Sequence, residues 1–207
     1  MDAKKSSGTF LAALLLAPAF SFAAALSEGM FVGQIQQFID DGKVSGCGVT
    51  ISAVETPTQP GGTLNVFNGS ISLMNAGGGL VKGRAAKTDA ARMLKGEFSV
   101  KDITPLPTEF VWLKGHKSNA TENSAASKVQ RSDDPGYIIY GADFDSITGV
   151  FDSILDQAPI QVGVRAKNAK YDTVLFGAVK ISNAERDQLL SCLSGLMSNL
   201  SEEMKER

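Results

Sequence analysis

The apolar pattern of the chain predicts an α+β fold, a mostly antiparallel sheet with about three helices packed on one face. Two observations carry this expectation. Several short runs alternate apolar and polar residues with the period of two that a half-buried strand requires, and three segments repeat apolar residues at helical spacing. Their order is helix, several strands, helix, hairpin, helix, which fits a sheet covered by helices on one side. A β-sandwich with added helices is the alternative.

The first 25 residues stand apart. Lys4 and Lys5 precede an apolar run from Phe10 to Phe22, and the small residues Ala23, Ala24 and Ala25 follow. That order is the pattern of a cleaved export signal, and the run is too short for the roughly 20 residues of a membrane-spanning helix. No cysteine follows the run, so the lipoprotein route is not expected. Removal of residues 1–25 leaves 26–207 as a single globular domain, released into the periplasm or the medium.

Beyond the signal, Ser27 can cap an amphipathic helix carrying Phe31, Ile35, Phe38 and Ile39, which Asp40-Asp41-Gly42 ends. Cys47, Val49, Ile51 and Ala53 then alternate as the inward face of a strand. Leu64 to Leu73 reads as a strand broken near Asn68-Gly69, or as two strands joined there by a tight turn. Leu80 to Ala86 is a further strand with Lys82 and Arg84 on one face. From Thr88 to Asp102 the signals conflict: Ala90 to Leu94 favours helix, and Glu97 to Lys101 alternates like a strand.

Phe110 to Leu113 is strand-like and holds the single tryptophan, Trp112. Residues 115–135 contain almost no large apolar residue and read as a long polar loop. Tyr137 to Tyr140 forms a short strand. Asp143 or Asp145 caps a helix with Phe144, Ile147, Val150, Phe151, Ile154 and Leu155 on one stripe, and Pro159 ends it. Ile160 to Ala166 and Tyr171 to Val179 form a hairpin through Lys167-Asn168-Ala169-Lys170. A final helix opens with Ser182 and Glu185 in capping-box spacing and carries Leu189, Cys192, Leu193, Leu196 and Leu200.

The two cysteines of an exported chain predict one disulfide, Cys47 to Cys192, joining the first strand to the last helix. Without the signal the net charge is about −3, too weak to point to a nucleic-acid partner. Charge is uneven locally: Lys82, Arg84, Lys87, Arg92 and Lys95 face only Asp89 over fourteen residues. This is read as a solvated sheet face or a protected edge, with an acidic partner as the functional alternative.

Catalytic chemistry finds little support. The one histidine, His116, sits at the entry to the polar loop, and a serine nucleophile would have to recruit it. Asp133, Asp134 and Asp143 flank the Tyr137 strand, where turn and cap chemistry accounts for them, although a carboxylate pair or an oxygen-ligand set would use the same residues. Gly77-Gly78-Gly79 with Arg84 lacks the Lys and Ser/Thr of a phosphate loop. Neither a metal nor a cofactor is expected, since imidazole and thiolate ligands are too few. Trp112, Tyr137, Tyr140 and Tyr171 are assigned to the core or its edge.

The resulting expectation is a non-enzymatic binding or accessory module of the bacterial envelope, without stable membrane insertion, whose partner is an envelope protein met at a sheet edge or loop. Lys82, Arg84, His116, Asp133, Asp134 and Asp143 form the candidate surface. The alternatives are a small secreted hydrolase using carboxylates or a serine near His116, and a small-ligand carrier with an apolar cavity between helices and sheet.

Overall fold

The computed structural model describes residues 25–59, 61–95, 102–121 and 129–205. All of the expected export signal but Ala25 lies outside them, as does the strand-like run at residues 97–101. The described residues form ten strands and three helices: β1 (Ala25–Asp40), β2 (Lys43–Glu55), β3 (Thr63–Met74), β4 (Gly79–Asp89), α1 (Ala90–Leu94), β5 (Thr104–Pro105), β6 (Thr108–Lys114), β7 (Gln130–Arg131), β8 (Ile138–Ala142), α2 (Phe144–Leu155), β9 (Pro159–Ala166), β10 (Thr173–Lys180) and α3 (Asn183–Lys205). The fold is mostly sheet. One large mixed sheet runs β6-β9-β10-β1-β2-β3-β4-β8-β7, with β5 on β4.

The segment expected to be the first helix is a strand. Residues 25–40 form β1, which pairs antiparallel with β2 along one edge and parallel with β10 over Ala25–Val32 along the other. Only the pair β1 and β10 is parallel among the described residues, and it is what makes the sheet mixed. Phe31, Gly33 and Ile35 face inward with period two, and a register shift between Phe38 and Ile39 breaks the phase. Cys47 therefore lies on the second strand.

Asn68-Gly69 makes no turn: β3 runs unbroken through it, and Gly69 faces Gly83 of β4. Both glycines leave room for one ring, because a Cβ on either would strike Phe67, which is fully buried. Phe31 lies similarly over Gly177. On the opposite face the Trp112 indole covers Gly163, and its Nε1 donates to Asp172 Oδ2 at 2.9 Å. Asp172 Oδ1 accepts from Arg165 Nε at 2.6 Å.

The sheet curls until β6 returns against β4 and β8. Phe110 stacks on Tyr140 with ring centres 6.5 Å apart. The Tyr140 hydroxyl donates toward the Val111 and Thr121 carbonyls, 2.8 and 2.6 Å away. Buried polar groups of this kind stay bonded because an unpaired one costs about 1–3 kcal/mol.

The inner face forms one core with the two long helices. Asp143 caps α2 by accepting from the Ser146 N–H at 2.8 Å, and the helix buries Ile147, Val150, Phe151 and Ile154. Each such side chain contributes about 1.5–3 kcal/mol. Ile147 packs on Gly79, and Gly115 lies close against the Gly149 carbonyl. The expected stop at Pro159 falls late: α2 ends at Leu155, and Pro159 opens β9. On α3, Leu189, Cys192 and Leu196 are buried, and the expected capping box is present, with Glu185 accepting from the Ser182 N–H at 2.7 Å. Cys47 and Cys192 are disulfide-bonded, with Cα atoms 5.9 Å apart across 145 positions of sequence. α1 is a five-residue turn at the end of β4.

Candidate functional site

Alternation along β4 turns Lys82 and Arg84 to the outer face of the sheet, where register sets Ser70 and Asn68 of β3 beside them. The turn Ser132-Asp133-Asp134-Pro135-Gly136-Tyr137 folds over this face. It is closed by the Ser132 N–H to the Tyr137 carbonyl at 3.0 Å and the Tyr137 N–H to the Asp134 carbonyl at 3.2 Å. Gly136 has φ +79°, a left-handed conformation that the tight return requires.

The turn lays the Tyr137 ring against two cations, with Lys82 Nζ 5.1 Å and the Arg84 guanidinium carbon 4.5 Å from its centre. Each contact is worth about 0.5–1 kcal/mol or somewhat more as water is excluded. The Tyr137 hydroxyl donates to Asn68 Oδ1. Burial pushes the Tyr137 phenol above its ordinary range, against the opposing pull of Arg84 and Lys82. Lys82 Nζ meets Asp134 Oδ2 at 2.5 Å, and this contact holds the carboxyl below its usual range.

Beside Tyr137 opens a cleft of about 460 Å³. Pro105, Leu106, Pro107, Pro135 and Ile138 supply its apolar walls, and Arg131 and Lys167 bring positive charge to its rim. Neither Arg131 nor Lys167 has an ion-pair partner among the described residues. The one carboxylate among the described residues that line the cleft, Asp134, is already matched by Lys82. Arg84 adds a further cation behind the Pro135-Gly136 turn. Its Nη1 donates to the Pro135 carbonyl at 3.4 Å, and its Nε is buried without a hydrogen-bond partner among the described residues. The cleft thus combines apolar surface with uncompensated positive charge, and a volume inside the usual range for small-molecule and peptide side-chain pockets.

Of the residues singled out from sequence, Lys82, Arg84 and Asp134 come together here, with Asp133 exposed in the same turn. His116 and Asp143 lie elsewhere. His116 lines a second cleft, of about 540 Å³, with Asp152, Ser153, Asp156 and Arg186. Ser153 Oγ accepts the His116 backbone N–H at 2.8 Å and donates to the Gly149 carbonyl at 2.9 Å, so the hydroxyl pins the loop to α2. Asp143 serves as the α2 cap, held low by hydrogen bonds from the Ser146 hydroxyl and backbone N–H. Among the described residues no group of three or more His, Cys, Asp or Glu side chains is placed to hold a metal ion.

Sequence reasoning missed Tyr137, Asn68, Arg131 and Lys167. The apolar run around it assigns Tyr137 to the core or its edge, whereas it is the centrepiece of the outer-face cluster; Tyr171, assigned likewise, is 45% exposed. Spacing gives no sign of the remaining three, since β3 supplies Asn68, β7 supplies Arg131 and the β9–β10 hairpin supplies Lys167, all from distant parts of the chain. No protein-family model matches the chain, no curated protein matches it, and no solved structure matches it.

Proposed function

We propose that the protein is an exported, non-enzymatic binding module of the bacterial envelope, an α+β domain that takes an anionic group of a partner envelope protein into the cleft beside Tyr137. One observation carries the reading: Arg131 and Lys167, two cations without an ion-pair partner among the described residues, border a cleft with apolar surface from Pro105, Leu106, Pro107, Pro135 and Ile138. An acidic side chain or terminal carboxylate next to apolar residues matches both properties, gaining charge-assisted hydrogen bonds from Arg131 and Lys167 and burying its apolar part on Leu106, Ile138 and the prolines. The disulfide suits an oxidising compartment. No described helix is long and apolar enough to cross a membrane.

The test is binding of a fluorescent peptide of alternating Glu and Leu, with a Lys and Leu peptide as the control. The acidic peptide should bind, its affinity should fall as salt is raised, and the double variant Arg131→Glu, Lys167→Glu should abolish the signal. Equal binding of both peptides, or binding indifferent to the double variant, would refute the reading.

A further inference from the structure

The second cleft, of about 540 Å³, has walls of opposite charge. One wall is α2, where Gly149, Asp152, Ser153 and Asp156 recur at helical spacing and so share a face. The others are the start of α3, with Arg186 and Leu190 four positions apart, and the loop after β6, with His116 and Lys117. The carboxylates therefore come from one element and the cations from the other two. Among the described residues none of Lys117, Asp152, Asp156 and Arg186 has an ion-pair partner, inside the cleft or away from it.

Neither pole is neutralised by its own helix. Asp152 and Asp156 are like charges four positions apart at the C-terminal end of α2, where the helix dipole is negative and the last turn holds no basic residue. Arg186 lies in the first turn of α3, its N–H bonded to the Ser182 carbonyl at 2.9 Å, and the dipole there is positive. Glu185, the acidic residue of that turn, is engaged by the cap and accepts from the Ser182 hydroxyl at 2.8 Å. A bound ammonium beside the two carboxylates, and a bound carboxylate beside Arg186 and Lys117, would each meet charge that the fold leaves unmatched. Leu155, Ala158 and Leu190 add apolar surface, and Leu190 is 46% exposed.

A ligand with one charge satisfies only one pole. We propose that this cleft binds a short peptide with both ends free, its ammonium on Asp152 and Asp156 and its carboxylate on Arg186 and Lys117. The last side chain of the peptide, an aliphatic one, lies on Leu190, about one turn along α3 from Arg186. A single amino acid carries its two charges next to each other, whereas two or three extended residues separate them by about 7–10 Å. Protein charges that stand too far apart to pair call for the longer span. The cleft is of a size that encloses such a ligand, and it shares no lining residue with the cleft beside Tyr137.

The experiment is isothermal titration calorimetry with alanyl-leucine and alanyl-alanyl-leucine, each with free ends, N-acetylated, or C-amidated. At least one free peptide should bind in the micromolar to millimolar range, and blocking either end should weaken it by about tenfold or more. Asp152→Asn with Asp156→Asn should weaken the free peptide to the level of the acetylated form, and leave the acetylated form unchanged. Arg186→Gln should do the same with respect to the amidated form. All three replaced residues are exposed, and circular dichroism checks that the variants keep the fold. Arg131→Glu with Lys167→Glu should bind the free peptide as wild type does, whatever becomes of the first cleft. No binding of either free peptide at roughly 10 mM, or equal affinity for free and blocked forms, would overturn the proposal. So would binding lost in the Arg131 and Lys167 variant, which would put the peptide in the first cleft, or binding indifferent to the replacements at Asp152, Asp156 and Arg186.

Discussion

Replacing Cys47 and Cys192 together with alanine opens a loop of 145 positions, and the structure gives the expected cost. In the chain-entropy description, a closed loop of this length restricts the unfolded chain by roughly 17 cal/mol/K, about 5 kcal/mol at 25 °C. For a domain of this size each kcal/mol moves the unfolding midpoint by about 2–4 °C, so the double variant should melt about 10–20 °C below the oxidised wild type. The assay is thermal unfolding followed by far-ultraviolet circular dichroism, on the oxidised protein, the reduced protein and the double variant. Both cysteines are buried, at 0% and 1% exposure, so a reductant should attack only as fast as α3 lifts from β2. Midpoints within two or three degrees of one another, or reduction within seconds under native conditions, would refute the reasoning.

Further outcomes follow from the cap, the stacked indole and the buried phenol. Asp143→Ala should cost about 1 kcal/mol in urea unfolding at neutral pH. Since the folded carboxyl is held below its unfolded value, its contribution is present above about pH 4 and disappears as pH falls through the folded value, so the gap to wild type should narrow in acid; a widening gap would contradict the cap. Gly163→Ala would drive a methyl group into the Trp112 indole and should cost about 1–3 kcal/mol with a shifted tryptophan emission, and an unchanged spectrum and stability would argue against the stacking. Tyr137→Phe should remove a late-ionising phenol from the alkaline absorbance titration, and an unaltered titration would show that the ring is not buried beside Arg84.

The strands from β2 onward were legible where one face was uniformly apolar, as at Cys47, Val49, Ile51 and Ala53. β1 was not, for a geometric reason. Gly33 is buried without a side chain and Gln37, next in the same phase, is exposed, which hides the period of two, while Phe31, Ile35, Phe38 and Ile39 stand at helical spacing in the sequence. Asn68-Gly69 has the composition of a tight turn, but its glycine serves the Phe67 ring and its asparagine serves Tyr137. The helices α2 and α3 were readable because cap and stripe agree. At the cleft, alternation exposed the shared face of Lys82 and Arg84, whereas their meeting with Asp134 depends on a contact more than fifty positions away in the chain. Local patterning carries no signal for such a contact.

The parallel pairing of β1 with β10 joins the first and the last of the described strands, since Ala25 lies beside Thr173. β1 to β4 form a meander whose loops are short, so each strand finds its neighbour locally. The other side of β1 must wait for residues roughly 150 positions later, a closure of high contact order that is intrinsically slow. A polypeptide emerging amino end first would carry β1 with its full edge unsatisfied until nearly the whole sequence had followed. Oxidation of Cys47 waits just as long, because its partner lies on the last helix. Formation of the bridge in a pulse-labelled chain would therefore time the joining of the first strand to the last elements.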